Sequence, residues 1–146
     1  HYMLSGEKKS AGVLHHMVIK MRVQGPEKTI TEIDVEMPGI PREGCIELKD
    51  SLLPLVGFTL SAGFTRRVLE LVGGVNGCFH LVSLLLAMAP AAMQGYFANR
   101  ALRPFNMEDA SLEEVLGSVP LNSCKMWRED GPIITAIREW FSAKKA

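Results

Sequence analysis

Three cysteines and four histidines carry most of the chemistry this chain can offer. Cys78 stands in Gly73-Gly74-Val75-Asn76-Gly77-Cys78-Phe79-His80-Leu81, where a glycine-rich turn feeds an apolar run. A cysteine at the first turn of a helix meets unpaired backbone N–H groups and the positive end of the helix dipole. Both favour the thiolate, which can ligate a metal or act as a nucleophile. His80 is two residues on, near in space but on a different helical face. Cys124 precedes the last helical segment much as Cys78 opens the central one, and Cys45 also lies beside a turn signal. If the fold gathers Cys78, Cys124 and His80, with Cys45 as a further ligand, the sulfur and nitrogen donors suit zinc or an iron–sulfur cluster. No Cys-x-x-Cys pair adds to that signal.

Each of these residues also has a plainer reading. A free cysteine packs well as a small buried hydrophobe. His15-His16, at the start of a strand pattern, point to opposite faces, so at most one reaches a shared site; a surface pair is the competing reading. Gly73 to Gly77 lacks the Gly-Lys-Ser/Thr of a phosphate loop and joins helix to helix, which excludes that nucleotide-binding motif. Arg66-Arg67 reads as a solvated helix face. No Gly-x-Ser-x-Gly or His-Glu-x-x-His is present.

The elements that must position these residues follow from the pattern. Leu14 to Val23 alternates, with Met17, Ile19, Met21 and Val23 on one face and Lys20 and Arg22 on the other, which predicts a half-buried strand. Thr29 to Glu36 is β-branched, with Ile33 and Val35 on one face, and pairs with the first strand as an antiparallel hairpin. Pro38 and Gly39 break the pattern. Cys45 to Leu48 reads as a strand or an edge segment, and Leu55 to Leu60 as a third strand. Thr65 to Val72 is helical, with Val68, Leu69 and Val72 as its apolar stripe and Gly73-Gly74 as its stop. The central helix runs from about Cys78 to Asn99, apolar nearly all round and therefore expected to be buried, with a kink or interruption at Pro90. Ser111 and Glu114 form a capping box for a short helix to Leu116. Pro132 opens the last helix, whose apolar face is Ile133, Ile134, Ala136, Ile137, Trp140 and Phe141, with Lys144 and Lys145 at its end. Strands first and helices afterwards predict an α+β domain: a small antiparallel sheet, the hairpin plus a third strand, packed on one face by C-terminal helices.

Composition sets the bounds. The chain has 146 residues, 47% apolar and 22% charged. That fits one soluble globular domain, with residues 1–12 as a loose lead-in. Sixteen basic and sixteen acidic residues with no long basic run give no support to a nucleic-acid partner. Phe79 to Met93 is shorter than the roughly 20 residues of a membrane span. The polar start, with Glu7-Lys8-Lys9-Ser10, and three widely spaced cysteines point to a reducing cytoplasm.

From Leu55 to Met93 the chain resembles the bacterial family called domain of unknown function 2889. Leu55-Val56-Gly57, Gly63 to Val68 and Gly73 to Leu81 carry the likeness, and Cys124 to Pro132 is similar to that family's C-terminal segment. The family implies no established activity. A fainter similarity is to iron–sulfur scaffolds of the NifU type, in which a strand hairpin leads to a Gly-Cys helix start and then to a cysteine before a C-terminal helix. Gly77-Cys78 and Cys124 fall at the matching places. The scaffold's first cysteine is absent, and His15-His16 stands near its position. The expectation is a cysteine-centred metal or iron–sulfur site at Cys78, His80, Cys124 and Cys45. Two alternatives stay open. One is a thiol enzyme with Cys78 as nucleophile and His80 as base. The other is a non-catalytic module, such as a homodimer, that docks through its apolar helices.

Overall fold

The computed structural model describes residues 5–8, 10–104 and 106–144. By its contacts the chain falls into two compact units, His1–Met93 and Gln94–Ala146. Among the described residues are a two-stranded antiparallel sheet and four α-helices, the expected α+β class.

In the first unit, β1 (His16–Gln24) pairs with β2 (Thr29–Gly39). Met17, Ile19, Met21 and Val23 pack against the core as the alternation predicts, facing Ile33, Val35 and Met37 of β2. On the solvent face Lys20 pairs with Glu36, and Arg22 with Glu32 at 3.0 Å. The ladder is not regular. Arg22 pairs with Glu32 but Val23 pairs with Ile30, so Thr31 is the extra residue of a β-bulge. One inserted residue reverses the side-chain parity. Ile30 is therefore fully buried opposite Val23 while Thr31 is exposed. A second register shift lies between His16 and Val18. There β2 runs three residues past the expected end at Glu36, through Pro38, because an irregular ladder has less need of the N–H that proline lacks.

The third strand does not form. Leu53–Leu55 is a turn of 3₁₀ helix, and Gly57 takes φ 93°, a conformation no regular strand contains. The segment still docks on the β2 edge. Ile30 N–H donates to the Phe58 carbonyl and Gly57 N–H to that of Ile30, each at 2.8 Å. What remains of the expected strand is an isolated bridge between Thr29 and Thr59. Cys45 to Leu48, read as a strand or edge, lies in a 3₁₀ helix over Glu43–Leu48. Local bonds such as Cys45 N–H to the Arg42 carbonyl at 3.0 Å satisfy its backbone without a sheet.

Helix α1 (Phe64–Val72) buries Phe64, Val68 and Val72, which recur every fourth residue. Leu69, expected in that stripe, is 51% exposed, since one step along a helix turns about 100° off the line. Helix α2 (Phe79–Ala101) continues through Pro90 without interruption. It buries Leu81, Val82 and Leu85, and not its whole circumference as its composition led one to expect. By length and composition alone it could cross a membrane; only 22% of its most apolar window is buried. The helices that share the hairpin's core are thus α1 and the first half of α2. Ile30, Leu52, Leu55, Val68, Leu81 and Leu85 are at its centre.

The second unit contains α3 (Leu112–Gly117) and α4 (Pro132–Lys144). The capping box forms as predicted: Glu114 N–H donates to Ser111 Oγ at 3.2 Å, and Ser111 N–H to Glu114 Oε2 at 2.8 Å. The Ser111 N–H, and the Ser111 hydroxyl at 2.9 Å, both donate to Glu114 Oε2 and hold its carboxyl below the ordinary pKa. Pro132 is the first residue of α4, as its lack of an N–H allows. Val115, Ile134 and Phe141 are buried. The α4 face is narrower than expected, with Ala136 and Trp140 exposed. Lys145 lies outside the described residues.

Candidate functional site

The connector between α1 and α2 is shaped by close backbone contacts. A Cβ on Gly73 would run into the carbonyl oxygen of Leu69, and one on Gly77 into that of Val72. Both glycines have extended backbones, so what excludes a side chain is space. Gly74 alone in this stretch takes a left-handed φ, 58°, the role sequence reasoning assigned to the Gly73-Gly74 pair. The chain therefore leaves α1, makes one 3₁₀ turn at Gly74–Asn76 pressed on the end of that helix, and enters α2.

Cys78 sits where this connector ends. Its carbonyl accepts the N–H of Val82 at 2.9 Å, the first bond of α2, which makes Cys78 the residue capping the N-terminus. Its side chain is half-buried against the core. Cys78 Sγ lies 3.8 Å from Nδ1 of His80. Residues two apart in a helix interior face away from each other. Cys78 is outside the helix proper, so its side chain is free to meet His80.

His15 joins this pair. Its ring centroid is 4.2 Å from that of His80, with the planes tilted by 35°. His15 and His16 are exposed, as the surface reading expected, but the ring contact with His80 was not foreseen. A signal was present, because His15 has the same strand parity as Met17, which faces the core, and this aims it toward the α2 side.

A cleft of about 460 Å³ opens beside the imidazoles. On the strand side it is lined by His15, His16 and Met17. On the helix side it is lined by His80, Ser83, Leu84 and Ala87. The last four recur at the three- and four-residue spacing of one helical face, next to the buried face of Leu81 and Leu85. Sequence reasoning missed that second face because the run is apolar on every side.

Cys45 is half-buried in its 3₁₀ turn and packs against the first unit's core. Cys124 belongs to the second unit and is exposed; its carbonyl accepts the Trp127 N–H at 3.1 Å. Among the described residues no group of three or more His, Cys, Asp or Glu side chains is arranged to hold a metal ion. The geometry supplies instead one thiol in contact with one imidazole, a second imidazole packed at a tilt against the first, and an adjoining cleft.

No curated protein and no solved structure matches this chain. The likeness to iron–sulfur scaffolds gains no support from either comparison. A family model does match, over residues 1–94. It takes in His15, Cys45, Cys78 and His80, and it ends one residue beyond the first unit. The match thus extends the likeness from Leu55–Met93 back through the N-terminal stretch, and leaves out Cys124 to Pro132. Residues 1–94 being more than half of the whole, the chain belongs to the family described as protein of unknown function (DUF2889).

Proposed function

We propose that the first unit carries a reactive-thiol site, with Cys78 as nucleophile and His80 as its proton acceptor. The observation that carries this reading is the 3.8 Å approach of Cys78 Sγ to His80 Nδ1 at the N-terminus of α2. There the sulfur has a ring nitrogen within reach to take its proton as it attacks. The sulfur would form its bond to an electrophilic carbon, and the displaced group would leave with the proton held on His80. His15, stacked on His80, holds the imidazole as a third group holds the base in nucleophile–base pairs generally. Timed alkylation of the three thiols with iodoacetamide, read by peptide mass spectrometry, tests this. Cys78 should react fastest, and His80→Ala should slow it about tenfold by removing the acceptor of its proton. Equal rates at Cys78 and at the exposed Cys124 would end the proposal.

A second reading draws on the same contact. Sulfur and nitrogen bound to one tetrahedral zinc ion lie about 3.6 Å apart, close to the separation seen here. Cys78 and His80 would be two ligands of a zinc ion or an iron–sulfur cluster, with His15 or Cys45 as candidates for the others. Side-chain rearrangement would be needed to complete the set. Metal analysis and the visible spectrum of anaerobically purified protein decide it: less than one equivalent of zinc or iron, and none retained after loading and dialysis, would remove this reading.

A further inference from the structure

We infer that the cleft between the start of β1 and the exposed face of α2 binds a small carboxylate with a flat, apolar body. This deepens the reactive-thiol reading, since it names the class of molecule that would lie beside Cys78 and His80. Three features argue for it. The cleft's volume, about 460 Å³, is in the range of small-molecule sites. Its floor is apolar, made by Met17, Leu84 and Ala87, so the body of the ligand gains by leaving water. Its polar groups are three imidazoles and the Ser83 hydroxyl, with no acidic side chain among the lining residues.

An imidazole donates at least one N–H in either protonation state, and a hydroxyl donates one O–H. A cleft so lined offers donors without a competing carboxylate, which favours a ligand rich in acceptors over a cation. The lining imidazoles do not converge as metal ligands do. Flatness follows from the paired rings. His15 and His80 lie 4.2 Å apart and both are exposed, which leaves aromatic surface on which a flat ligand can pack. A carboxylate reaching the imidazoles would place its apolar end along Leu84 and Ala87, about one and two helical turns beyond His80.

The test uses the full chain with 2-naphthoate as the probe, followed by heteronuclear NMR. Signals of His15, His16, His80, Ser83, Leu84 and Ala87 should shift together and saturate at millimolar probe. Ala87→Trp fills the cleft from an exposed helix position and should weaken binding at least about tenfold with the circular dichroism spectrum unchanged. 2-Naphthylmethanol, which keeps the ring and lacks the charge, should bind more weakly than the carboxylate. Unmoved cleft signals at saturating probe, or equal binding by the Ala87→Trp protein, would overturn the inference. Iodoacetamide rates measured without probe keep the two proposals apart. A sluggish Cys78 removes the thiol reading and leaves binding to stand, whereas a fast Cys78 with no probe binding removes the cleft inference alone.

Discussion

The imidazole of His15, at the foot of β1, lies against that of His80 in the first turn of α2, ring centroids 4.2 Å apart. Strand and helix thus meet beside the thiol of Cys78. A contact between two rings is worth about 1 kcal/mol. His15→Ala should therefore slow iodoacetamide attack on Cys78, by roughly fivefold at most. That is less than His80→Ala, because His15 acts only through its neighbour. Equal effects of the two variants, or none from His15→Ala, would show that the stacked ring does not steady its partner.

The glycine connector makes a sharper prediction. Gly77→Ala and Gly73→Ala each force a methyl group into a helix carbonyl, and a backbone atom has little room to yield. Each should cost about 1–3 kcal/mol in chemical denaturation. Gly95→Ala is the control. It lies within α2, and an added methyl there meets nothing within 4 Å. It should raise stability by roughly 0.5–1 kcal/mol, the usual gain of alanine over glycine in a helix. A neutral Gly77→Ala would mean that the connector is looser than its contacts imply.

The bulge at Thr31 separates two neighbours with opposite fates. Ile30→Ala empties a fully buried position and should destabilise by about 2–5 kcal/mol. Thr31→Ala, on the solvent side, should stay within about 0.5 kcal/mol. A strand without the bulge would reverse the order of the two, so the pair of denaturation curves reads the register directly.

Acid should loosen the second unit at α3. Hydrogen bonds from Ser111 lower the Glu114 pKa in the folded state, so the unfolded chain binds the proton more readily. The stabilisation is complete above the ordinary glutamate value and fades as pH falls through the lowered one. Ser111→Ala should remove about 1 kcal/mol of helix capping near neutral pH. It should also flatten this acid dependence. Thermal melts of both proteins at descending pH check it; parallel curves would show that Glu114 gains nothing from Ser111.

Much of this was readable from residue order because local rules governed it. The hairpin's alternation, the Ser111–Glu114 box and Pro132 at the start of α4 are short-range features, and each formed. The third strand failed because apolar β-branched composition says nothing about φ at Gly57. Leu69 and the exposed side of α2 were misjudged because an apolar residue in a helix does not state which direction the core lies. Of the site, Cys78 at a helix start and His80 beside it were legible from spacing. The approach of His15 and the cleft are tertiary facts, set by how the hairpin lies over α2. Cys124 sits in the other unit, outside the family match, so resemblance along the chain had joined what the contacts divide.

Gly73 and Gly77 bear on the main-chain oxygens of Leu69 and Val72, and Cys78 follows one residue later. The sulfur's location is therefore dictated by where α1 terminates. Trimming a core side chain of α1, such as Val68, should dull thiol reactivity well before global unfolding, as the loosened helix end lets its abutting peptides drift. Thiol labelling can thus serve as a local strain gauge for a helix that contains no cysteine.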